Sequence, residues 1–369
     1  MTPEYWDGRR VLVTGHTGFK GSWLCSWLVG LGARVTGVAL DVPTSPSLFE
    51  SVRLASRLRD LRADVRDLQT LRGIIALARP EVVLHLAAQP LVRRSYAVPE
   101  ETFATNVMGV VNLLEAVRER GRPCSIVVVT SDKCYENRGE RRSFREDDPL
   151  GGDDPYSASK ACAEIVAAAY RRSFLRSEGI ALATGRAGNV IGGGDWAADR
   201  LVPDLIRALV DGRPARVRSP EAVRPWQHVL EPLHGYLTLA ERLASDGERF
   251  ARAWNFGPAP DSERSVGEIA DRIVELWGPH ASWERARQDA PAPREASFLS
   301  LDAGRSRREL GWTPGWSIDR TLARTVAWYR AWQADRDLEA LVREQIEAYQ
   351  AERRDRSRPA GVALETVPS

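Results

Sequence analysis

The chain has 369 residues, of which 43% are hydrophobic and 28% charged, and its formal net charge is +2. That length suffices for two domains, or for one large domain with a smaller lobe. A charge so near zero does not favour nucleic acid or an anionic membrane as a partner. Four cysteines without a CxxC pair predict a reducing, cytoplasmic location and no structural metal site. No apolar stretch approaches the roughly 18 residues of a membrane span, and the N-terminus carries no signal-peptide pattern.

Apolar strand-like runs alternate with helix-like segments through the first half of the chain. The predicted strands are 10–14, 34–40, 59–63, 81–86, 125–130 and 180–186, and the predicted helices are 22–29, 68–79, 102–120 and 156–177. A glycine-rich turn between the first strand and the first helix makes a βαβ unit, whose crossover implies a parallel sheet. A helix over 234–243 and a strand over 252–256 are expected to return to the sheet as its seventh strand. The pattern predicts an α/β fold, a doubly wound parallel Rossmann-type sheet with a smaller C-terminal α/β substrate lobe.

The composition suggests where the domains divide. After residue 186 the chain turns to loops rich in Gly and Pro. We expect a dinucleotide-binding domain from residues 1–188 and about 226–258, and a substrate lobe from 189–225 and about 259–350. Residues 351–369 contain few large apolar side chains and are expected to form a flexible tail.

Three glycines follow the first strand at intervals of three residues, at Gly15, Gly18 and Gly21. Glycines in such a turn let the backbone approach a pyrophosphate at a helix N-terminus, where free N–H groups favour anions. Asp41 ends the second strand, where a carboxylate would accept from the adenosine ribose hydroxyls and repel a 2′-phosphate. This favours NAD over NADP, although Asp41 could instead begin the loop one turn away.

Other residues near these strand ends are predicted to contact the cofactor. Asp64 and Val65 follow the third strand and are placed to meet the adenine edge, whereas Asn106 is expected to shape the site. The complete predicted cofactor set is Gly15, Thr17, Gly18, Phe19, Lys20, Gly21, Asp41, Asp64, Val65, Leu86, Ala87, Ala88, Asn106, Tyr156 and Lys160.

Five groups able to move protons lie between residues 131 and 160. Ser131, Asp132 and Lys133 end an apolar strand, and Tyr156 and Lys160 lie one helical turn apart on one face of the following helix. A Tyr near its ordinary pKa of about 10 is a poor base, but a neighbouring Lys⁺ and a nicotinamide cation both stabilise the phenolate. Such a pair can take the proton of an alcohol while its carbon gives up hydride.

Seven stretches together resemble the extended short-chain dehydrogenase/reductase superfamily and, within it, the nucleotide-sugar 4,6-dehydratases. The match runs from about residue 6 to about residue 332. The supporting stretches are 15–24 (GHTGFKGSWL), 85–95 (HLAAQPLVRRS), 105–109 (TNVMG), 131–135 (SDKCY), 154–160 (DPYSASK), 186–196 (RAGNVIGGGDW) and 224–228 (RPWQH). Many enzymes of this family have Glu at the position of Lys133, and Lys is typical of the branch that acts on a CDP-activated glucose.

The resemblance implies NAD as the cofactor and a CDP-sugar as the substrate. Tyr156, assisted by Ser131 and Lys160, is expected to take the C4 hydroxyl proton as hydride leaves C4. Lys133 is then the expected base at C5, and Asp132, held protonated, the acid for the C6 hydroxyl. The residues that the resemblance assigns to substrate binding are Gln89, Arg94, Asn189, Arg200, Leu201 and Arg224.

Three other functions stay open at this point. A dehydratase for dTDP- or UDP-glucose would share these residues except at Lys133, where Glu is the usual residue. A C4 epimerase needs the Tyr–Lys pair but no acid–base pair for elimination, and an inactive NAD-sensing scaffold needs neither. The resemblance also implies self-association, in which the helices over 102–120 and 156–177 pair with their copies as a four-helix bundle in a homodimer or a tetramer.

Overall fold

The computed structural model describes residues 1–259, 262–286 and 296–357. The strands are β1 Arg10–Thr14, β2 Arg34–Ala39, β3 Arg59–Arg62, β4 Val82–His85, β5 Cys124–Val129, β6 Ile180–Ala187, β7 Val190–Ile191, β8 Ala215–Val217, β9 Val223–Pro225, β10 Gln227–His228, β11 Ala253–Phe256, β12 Glu263–Ser265 and β13 Trp283–Arg285. The helices are α1 Pro3–Trp6, α2 Phe19–Gly30, α3 Leu48–Ser51, α4 Leu68–Ala78, α5 Val92–Ala97, α6 Pro99–Phe103, α7 Gly109–Arg120, α8 Pro155–Ser173, α9 Leu201–Val210, α10 Leu230–Ser245, α11 Gly247–Phe250, α12 Val266–Trp277, α13 Ile318–Gln333 and α14 Leu338–Ser357.

Within the described residues, seven strands form one parallel sheet in the order β11-β6-β5-β4-β1-β2-β3. This order is that of a doubly wound nucleotide-binding sheet with one further strand at its edge. The predicted fold class is therefore confirmed, as is the return of the chain to the sheet as a seventh strand. The carboxyl ends of β1, β4, β5 and β6 lie at one edge, where ligands bind in sheets of this type.

The strands of this main sheet are buried on both faces because helices cover both. In β5, Ile126 and Val128 face an apolar layer that includes α4, α7 and α8, whereas Val127 and Val129 face a second layer that includes α2 and α10. Side chains alternate between the faces of a strand, so such a strand reads as a continuous apolar run. Because of this apolar run, the predicted strand over 125–130 differs from the observed β5 by one residue at each end.

The helix predicted over 102–120 is interrupted. Residues Ala104–Met108 form a π-helical turn between α6 and α7. The turn carries Asn106, whose side chain is 2% exposed and bonds neighbouring backbone. Wide turns of this kind commonly mark functional positions.

The helix predicted over 156–177 is α8, which ends four residues earlier, at Ser173. A short 3₁₀ turn follows and leads to Gly179, whose φ of +68° suits glycine and ends the helical stretch. At the other end, the Asp154 carboxylate accepts from the Ser157 N–H at 2.9 Å and caps the helix.

The remaining strands form short pairs outside the main sheet, β7 with β10, β8 with β13 and β9 with β12. We retain the predicted division into a dinucleotide-binding domain and a substrate lobe as a proposal.

Helix α14 packs on α2 and extends through Ser357, so the first residues of the predicted tail are helical. The rest of that tail, 358–369, lies outside the described residues. Across the described ranges, no helix has both the length and the apolar content to cross a bilayer.

Candidate active site

The turn between β1 and α2 brings the backbone into close contact with the loop that follows β4. A Cβ on Gly15, whose φ is +74°, would lie 2.7 Å from the Ala87 nitrogen. A Cβ on Gly21 would lie 2.1 Å from the Gly15 carbonyl oxygen. Gly18 caps α2, which begins at Phe19. Gly15 and Gly21 thus have no room for a side chain, and the backbone of the turn and of the helix N-terminus forms a cradle that fits the pyrophosphate of a dinucleotide.

The ends of β2 and β3 flank this cradle. Asp41 is exposed, and its carbonyl oxygen accepts from the Thr17 hydroxyl at 3.4 Å, which ties the end of β2 to the glycine-rich turn. The Asp64 carboxylate accepts from Arg66 at 2.6 Å, and these hydrogen bonds lower the pKa of Asp64. Its carboxylate is therefore engaged within the protein, while Val65 is buried beside it.

Asn106 fixes the loop after β4 to the helix that carries Tyr156. Its Oδ1 accepts from the Gln89 N–H at 2.8 Å, and its Nδ2 donates to the Ser159 hydroxyl at 2.8 Å. The Gln89 side chain donates to the Leu91 carbonyl and to the Thr102 hydroxyl. Gln89 was predicted to bind substrate. Its side-chain amide instead donates hydrogen bonds within the protein, and the residue does not line the cavity described next.

A cavity of about 270 Å³ opens at the carboxyl ends of β5 and β6. It brings together most of the residues predicted for catalysis and substrate binding. Those on its wall are Ser131, Asp132, Lys133, Tyr156, Asn189, Arg200, Leu201 and Arg224, and Lys20 from the predicted cofactor set joins them. Parallel strands deliver their carboxyl ends to one edge, so residues as far apart in sequence as Ser131 and Arg224, which are separated by 93 positions, share one pocket.

Arg94 is not among these residues. It is exposed and pairs with Glu101 at 3.0 Å on the helical segment that follows. Its neighbour Arg93 lines the cavity instead, where it lies 3.7 Å from Asp199. The two arginines are adjacent on α5, so one helical step decides which of them reaches the site.

Asp132 is the buried acid of the cavity. Its Oδ1 accepts from the Ser131 hydroxyl at 3.0 Å, whereas Oδ2 has no hydrogen-bond partner among the described residues. A Cβ on Gly188 would lie 3.0 Å from that Oδ2 and 2.6 Å from Pro225. Burial raises the pKa of Asp132, and the nearby charge of Lys133 does not outweigh it. The group is therefore suited to donate a proton.

Lys133 and Lys20 also reach the cavity wall. Lys133 follows Asp132 directly in a 3₁₀ turn that the Ser131 hydroxyl caps by accepting from the Lys133 N–H at 3.2 Å. Lys20 enters from the first turn of α2, and burial lowers its pKa to about 8. Lys20 was predicted from the glycine-rich motif as a cofactor residue, and the structure places it beside the catalytic groups as well.

Tyr156 and Lys160 face the end of β5 from α8. Burial raises the pKa of Tyr156 to about 12, with the Ser131 hydroxyl and the Arg200 charge acting in the opposite direction. Burial lowers the pKa of Lys160 to about 8, and its Nζ donates to the Val129 carbonyl at 3.3 Å. Within the protein alone, the phenol is therefore harder to ionise than the sequence predicted, because burial outweighs the charges around it.

A glycine-rich loop carries an unpredicted acid, Asp195, to the cavity. The Trp23 indole N–H donates to the Gly193 carbonyl at 2.9 Å, and a Cβ on Gly193 would lie 2.0 Å from Trp328. The Tyr329 hydroxyl donates to the Asp195 carbonyl at 2.6 Å. The loop is thus held between α2 and α13, so Asp195 has a fixed place. It pairs there with Arg200 at 3.0 Å, which the sequence did not foresee.

The cavity has more arginines than the sequence predicted. Arg224 is 5% exposed and donates to the Val223 carbonyl at 2.9 Å. The additional cavity arginines are Arg93, Arg216 and Arg218. Arg216 and Arg218 lie two positions apart at β8, and this strand spacing was a signal that could have identified them.

Comparisons with known proteins show the family of this chain. The profile of the family described as GDP-mannose 4,6 dehydratase matches residues 12–325. A CDP-glucose 4,6-dehydratase from Salmonella typhimurium is 50% identical over 94% of this chain and 97% of its own length. A dTDP-glucose 4,6-dehydratase from Streptomyces griseus is 32% identical over 87% of this chain and 95% of its own.

Solved structures give the same result. A dTDP-glucose 4,6-dehydratase from Streptomyces venezuelae, crystallised with NAD, is 27% identical with a TM-score of 0.74, over 89% of this chain and 99% of its own. A UDP-glucose 4-epimerase from Thermotoga maritima has a TM-score of 0.72 at 22% identity, over 87% of this chain and 98% of its own, and shares the fold. The predicted resemblance is confirmed: the chain belongs to the GDP-mannose 4,6 dehydratase family, within the extended short-chain dehydrogenases/reductases.

Proposed function

We propose that this protein is a CDP-glucose 4,6-dehydratase that converts CDP-D-glucose to CDP-4-dehydro-6-deoxy-D-glucose and water with NAD as its bound cofactor. The observation that carries the proposal is the meeting of Ser131, Asp132, Lys133 and Tyr156 in one cavity at the end of β5. Oxidation at C4 needs Tyr156 and its neighbours, and loss of water needs an acid and a base as well. The 50% identical relative named for this reaction supports the choice of CDP-glucose.

Gly15, Gly18 and Gly21 would hold NAD at the glycine cradle, and the cofactor would supply the acceptor for the C4 hydride and the hydride for C6. Tyr156 takes the proton of the C4 hydroxyl. Its raised pKa means that the charge of the cofactor must help to ionise it, together with Ser131 and Lys160. The resulting C4 ketone makes the C5 hydrogen acidic.

Lys133 and Asp132 then act as base and acid in the elimination of water. Lys133 takes the C5 proton, the C6–O bond breaks, and Asp132 gives its proton to the departing hydroxyl, which leaves as water. The C5–C6 double bond holds the electron pair released from the C5–H bond. Burial raises the pKa of Asp132 and so favours the protonated form that can donate. No net oxidation results.

The substrate diphosphate is assigned to the arginine side of the cavity. Arg200 and Arg224 are joined there by Asn189 and Leu201 from the sequence prediction and by the newly found Arg93, Arg216 and Arg218. Guanidinium groups give charge-assisted and often bidentate bonds to phosphate oxygens. We keep Gln89 and Arg94 out of this set because their side chains bond within the protein.

We also propose a homodimer built from α7 and α8 of two copies. Large apolar side chains are exposed on α8 and on the helical stretch that leads into α7, including Phe103, Met108 and Ile165 at 37%, 49% and 57%. Such patches mark interaction surfaces. Light scattering should therefore report a dimer, and Ile165→Asp should convert it to a monomer.

All four cysteines are free, which suits the cytoplasm as the proposed location.

The reaction can be tested by incubating the purified protein with NAD⁺ and CDP-glucose and then adding alkali to reveal the 4-keto sugar by its absorbance. Parallel incubations with dTDP-glucose and UDP-glucose report the nucleotide preference. We expect product with CDP-glucose above both. No 4-keto-6-deoxy product from any of the three would contradict the dehydratase assignment, and preference for dTDP- or UDP-glucose would contradict the CDP assignment.

A further inference from the structure

Glu164 is a buried carboxylate on the helix that carries Tyr156 and Lys160, and the mechanism above does not use it. It is 4% exposed and lies four residues beyond Lys160 on α8. Its Oε1 accepts from the Thr130 hydroxyl at 2.5 Å, and its Oε2 accepts from the Thr184 hydroxyl at 2.7 Å. The carboxylate therefore joins α8 to the end of β5 and to β6.

Arg186 balances the charge of Glu164. Its Nη2 donates to Glu164 Oε2 at 2.8 Å, and its Nη1 donates to the Tyr135 hydroxyl at 2.8 Å and to the Glu146 carbonyl at 3.0 Å. Burial would raise the pKa of Glu164, but the Arg186 charge and the hydroxyl hydrogen bonds outweigh it and lower the pKa. Glu164 is therefore an anion inside the protein.

Glu164 and Lys160 reach adjacent residues of the same strand end. Lys160 Nζ donates to the Val129 carbonyl, and Glu164 accepts from Thr130. Both side chains therefore approach the end of β5 from α8, one helical turn apart. Burial lowers the pKa of Lys160, and the charge of Glu164 is the main influence that opposes it.

The other ionisable groups around Lys160 do not supply a negative charge. His85 on β4 is buried and its pKa is lowered to about 3, so it is neutral. Cys134, after β5, is a buried thiol whose pKa is raised. Lys20 on α2 adds a like charge. Glu164 and a Cys134 thiolate would both raise the pKa of Lys160, but burial raises the pKa of Cys134 and so favours its neutral thiol, which leaves Glu164 as the negative charge of the two.

We propose that Glu164 is a positioning residue that holds Lys160 as an ammonium ion beside Tyr156 and so sets the upper pH limit of C4 oxidation. The inference rests on the proposed function, because it assigns Lys160 to that step. If the negative charge is removed, Lys160 loses its proton at lower pH, and the alkaline limb of the rate profile must move in the same direction.

The test measures the rate of reduced-cofactor formation from CDP-glucose as a function of pH in the wild-type protein and in Glu164→Gln. We expect the alkaline limb of Glu164→Gln to move to lower pH by about one unit or more. Thr184→Val removes one hydrogen bond to Glu164 but keeps its charge, so its limb should stay at the wild-type pH. Glu164→Asp, which restores the charge, should move the limb back toward the wild-type position.

Glu164→Gln leaves Arg186 without its anion and can fail to fold, so the double variant Glu164→Gln/Arg186→Met provides a second measurement. Its limb should also lie below that of the wild type. The inference is overturned if the alkaline limb of either variant lies at the wild-type pH, or if the rate falls equally at every pH. Wild-type protein that forms reduced cofactor but no 4-keto-6-deoxy product overturns the proposed function, and leaves the pH comparison intact.

Discussion

Asp132 and Glu164 are two buried carboxyl groups near the end of β5, and their pKa values move in opposite directions. Glu164 has partners for both oxygens, including Arg186, and its pKa is lowered. Asp132 has one hydroxyl partner and an Oδ2 without a partner among the described residues, and burial raises its pKa. Burial alone therefore does not decide whether a carboxyl group is protonated or ionised. The partners decide whether it serves as a fixed charge or as a proton donor.

Replacing the proton donor should give the largest effect. Asp132→Asn keeps the shape of the side chain but removes the acid, so formation of the 4-keto-6-deoxy product should fall by roughly 10²–10⁴-fold. The free energy of unfolding in urea should stay the same or increase, because an incompletely paired buried carboxyl is removed. Product formation at the wild-type rate would show that Asp132 is not the acid.

Breaking the charge pair should chiefly affect stability. Arg186→Met leaves the Glu164 carboxylate buried without its cation, and the free energy of unfolding should fall by about 3–5 kcal/mol. Adding Glu164→Gln to this variant should recover much of the loss, since no unpaired charge remains. Urea unfolding of both variants measures this. A loss near the ~0.5 kcal/mol of an ordinary surface substitution would contradict the fixed-charge role of Glu164.

Two adjacent arginines show a similar contrast, because Arg94 pairs with Glu101 whereas Arg93 lines the cavity. Arg93→Ala should raise the KM for CDP-glucose by roughly ten-fold, the equivalent of one charge-assisted hydrogen bond. Arg94→Ala is the matched control and should leave KM unchanged, because Arg94 pairs with Glu101 away from the cavity. Equal effects from the two substitutions would contradict the assignment of Arg93 to the substrate side.

The free energy of unfolding should depend on pH in opposite directions for Asp132 and Glu164, and this effect should be smaller than those above. Because the pKa of Asp132 is raised in the folded protein, its ionisation destabilises the fold as pH rises above about 4, the ordinary Asp pKa. Asp132→Asn should therefore gain stability over the wild type as pH rises. Because the pKa of Glu164 is lowered, its contribution is present above about pH 4 and is lost as pH falls through the folded pKa. Glu164→Gln should thus be least stable, relative to wild type, at neutral pH. Parallel pH profiles for the two variants would contradict the contrast.

The sheet and the core of the active site could be predicted because both depend on patterns within short stretches. Buried parallel strands read as apolar runs, and each run ends where a polar group begins, as at Ser131. Since parallel strands share one edge, residues at the ends of different strands could be placed together without coordinates. The prediction of Tyr156 and Lys160 on one helix face likewise needed nothing beyond helical spacing.

What could not be predicted depends on helix rotation, burial and contacts distant in sequence. Arg93 and Arg94 are neighbours, and nothing in their order shows which one faces the cavity. The Glu164–Arg186 pair joins a helix to a strand 22 residues later, and the raised pKa of Tyr156 follows from burial that a sequence does not display. The internal hydrogen bonds of Gln89 depend on the π-helical turn at Asn106, which interrupts an otherwise regular helical pattern.

Infrared difference spectroscopy tests the contrast between Asp132 and Glu164 most directly, because protonated and ionised carboxyl groups absorb at different frequencies. Spectra of the wild-type protein at neutral pH would be compared with those of Asp132→Asn and of Glu164→Gln. Asp132→Asn is expected to remove a protonated carboxyl band, and Glu164→Gln is expected to remove carboxylate bands. Loss of carboxylate bands in Asp132→Asn would contradict this expectation, because Asp132 would then be ionised and unable to protonate the departing hydroxyl.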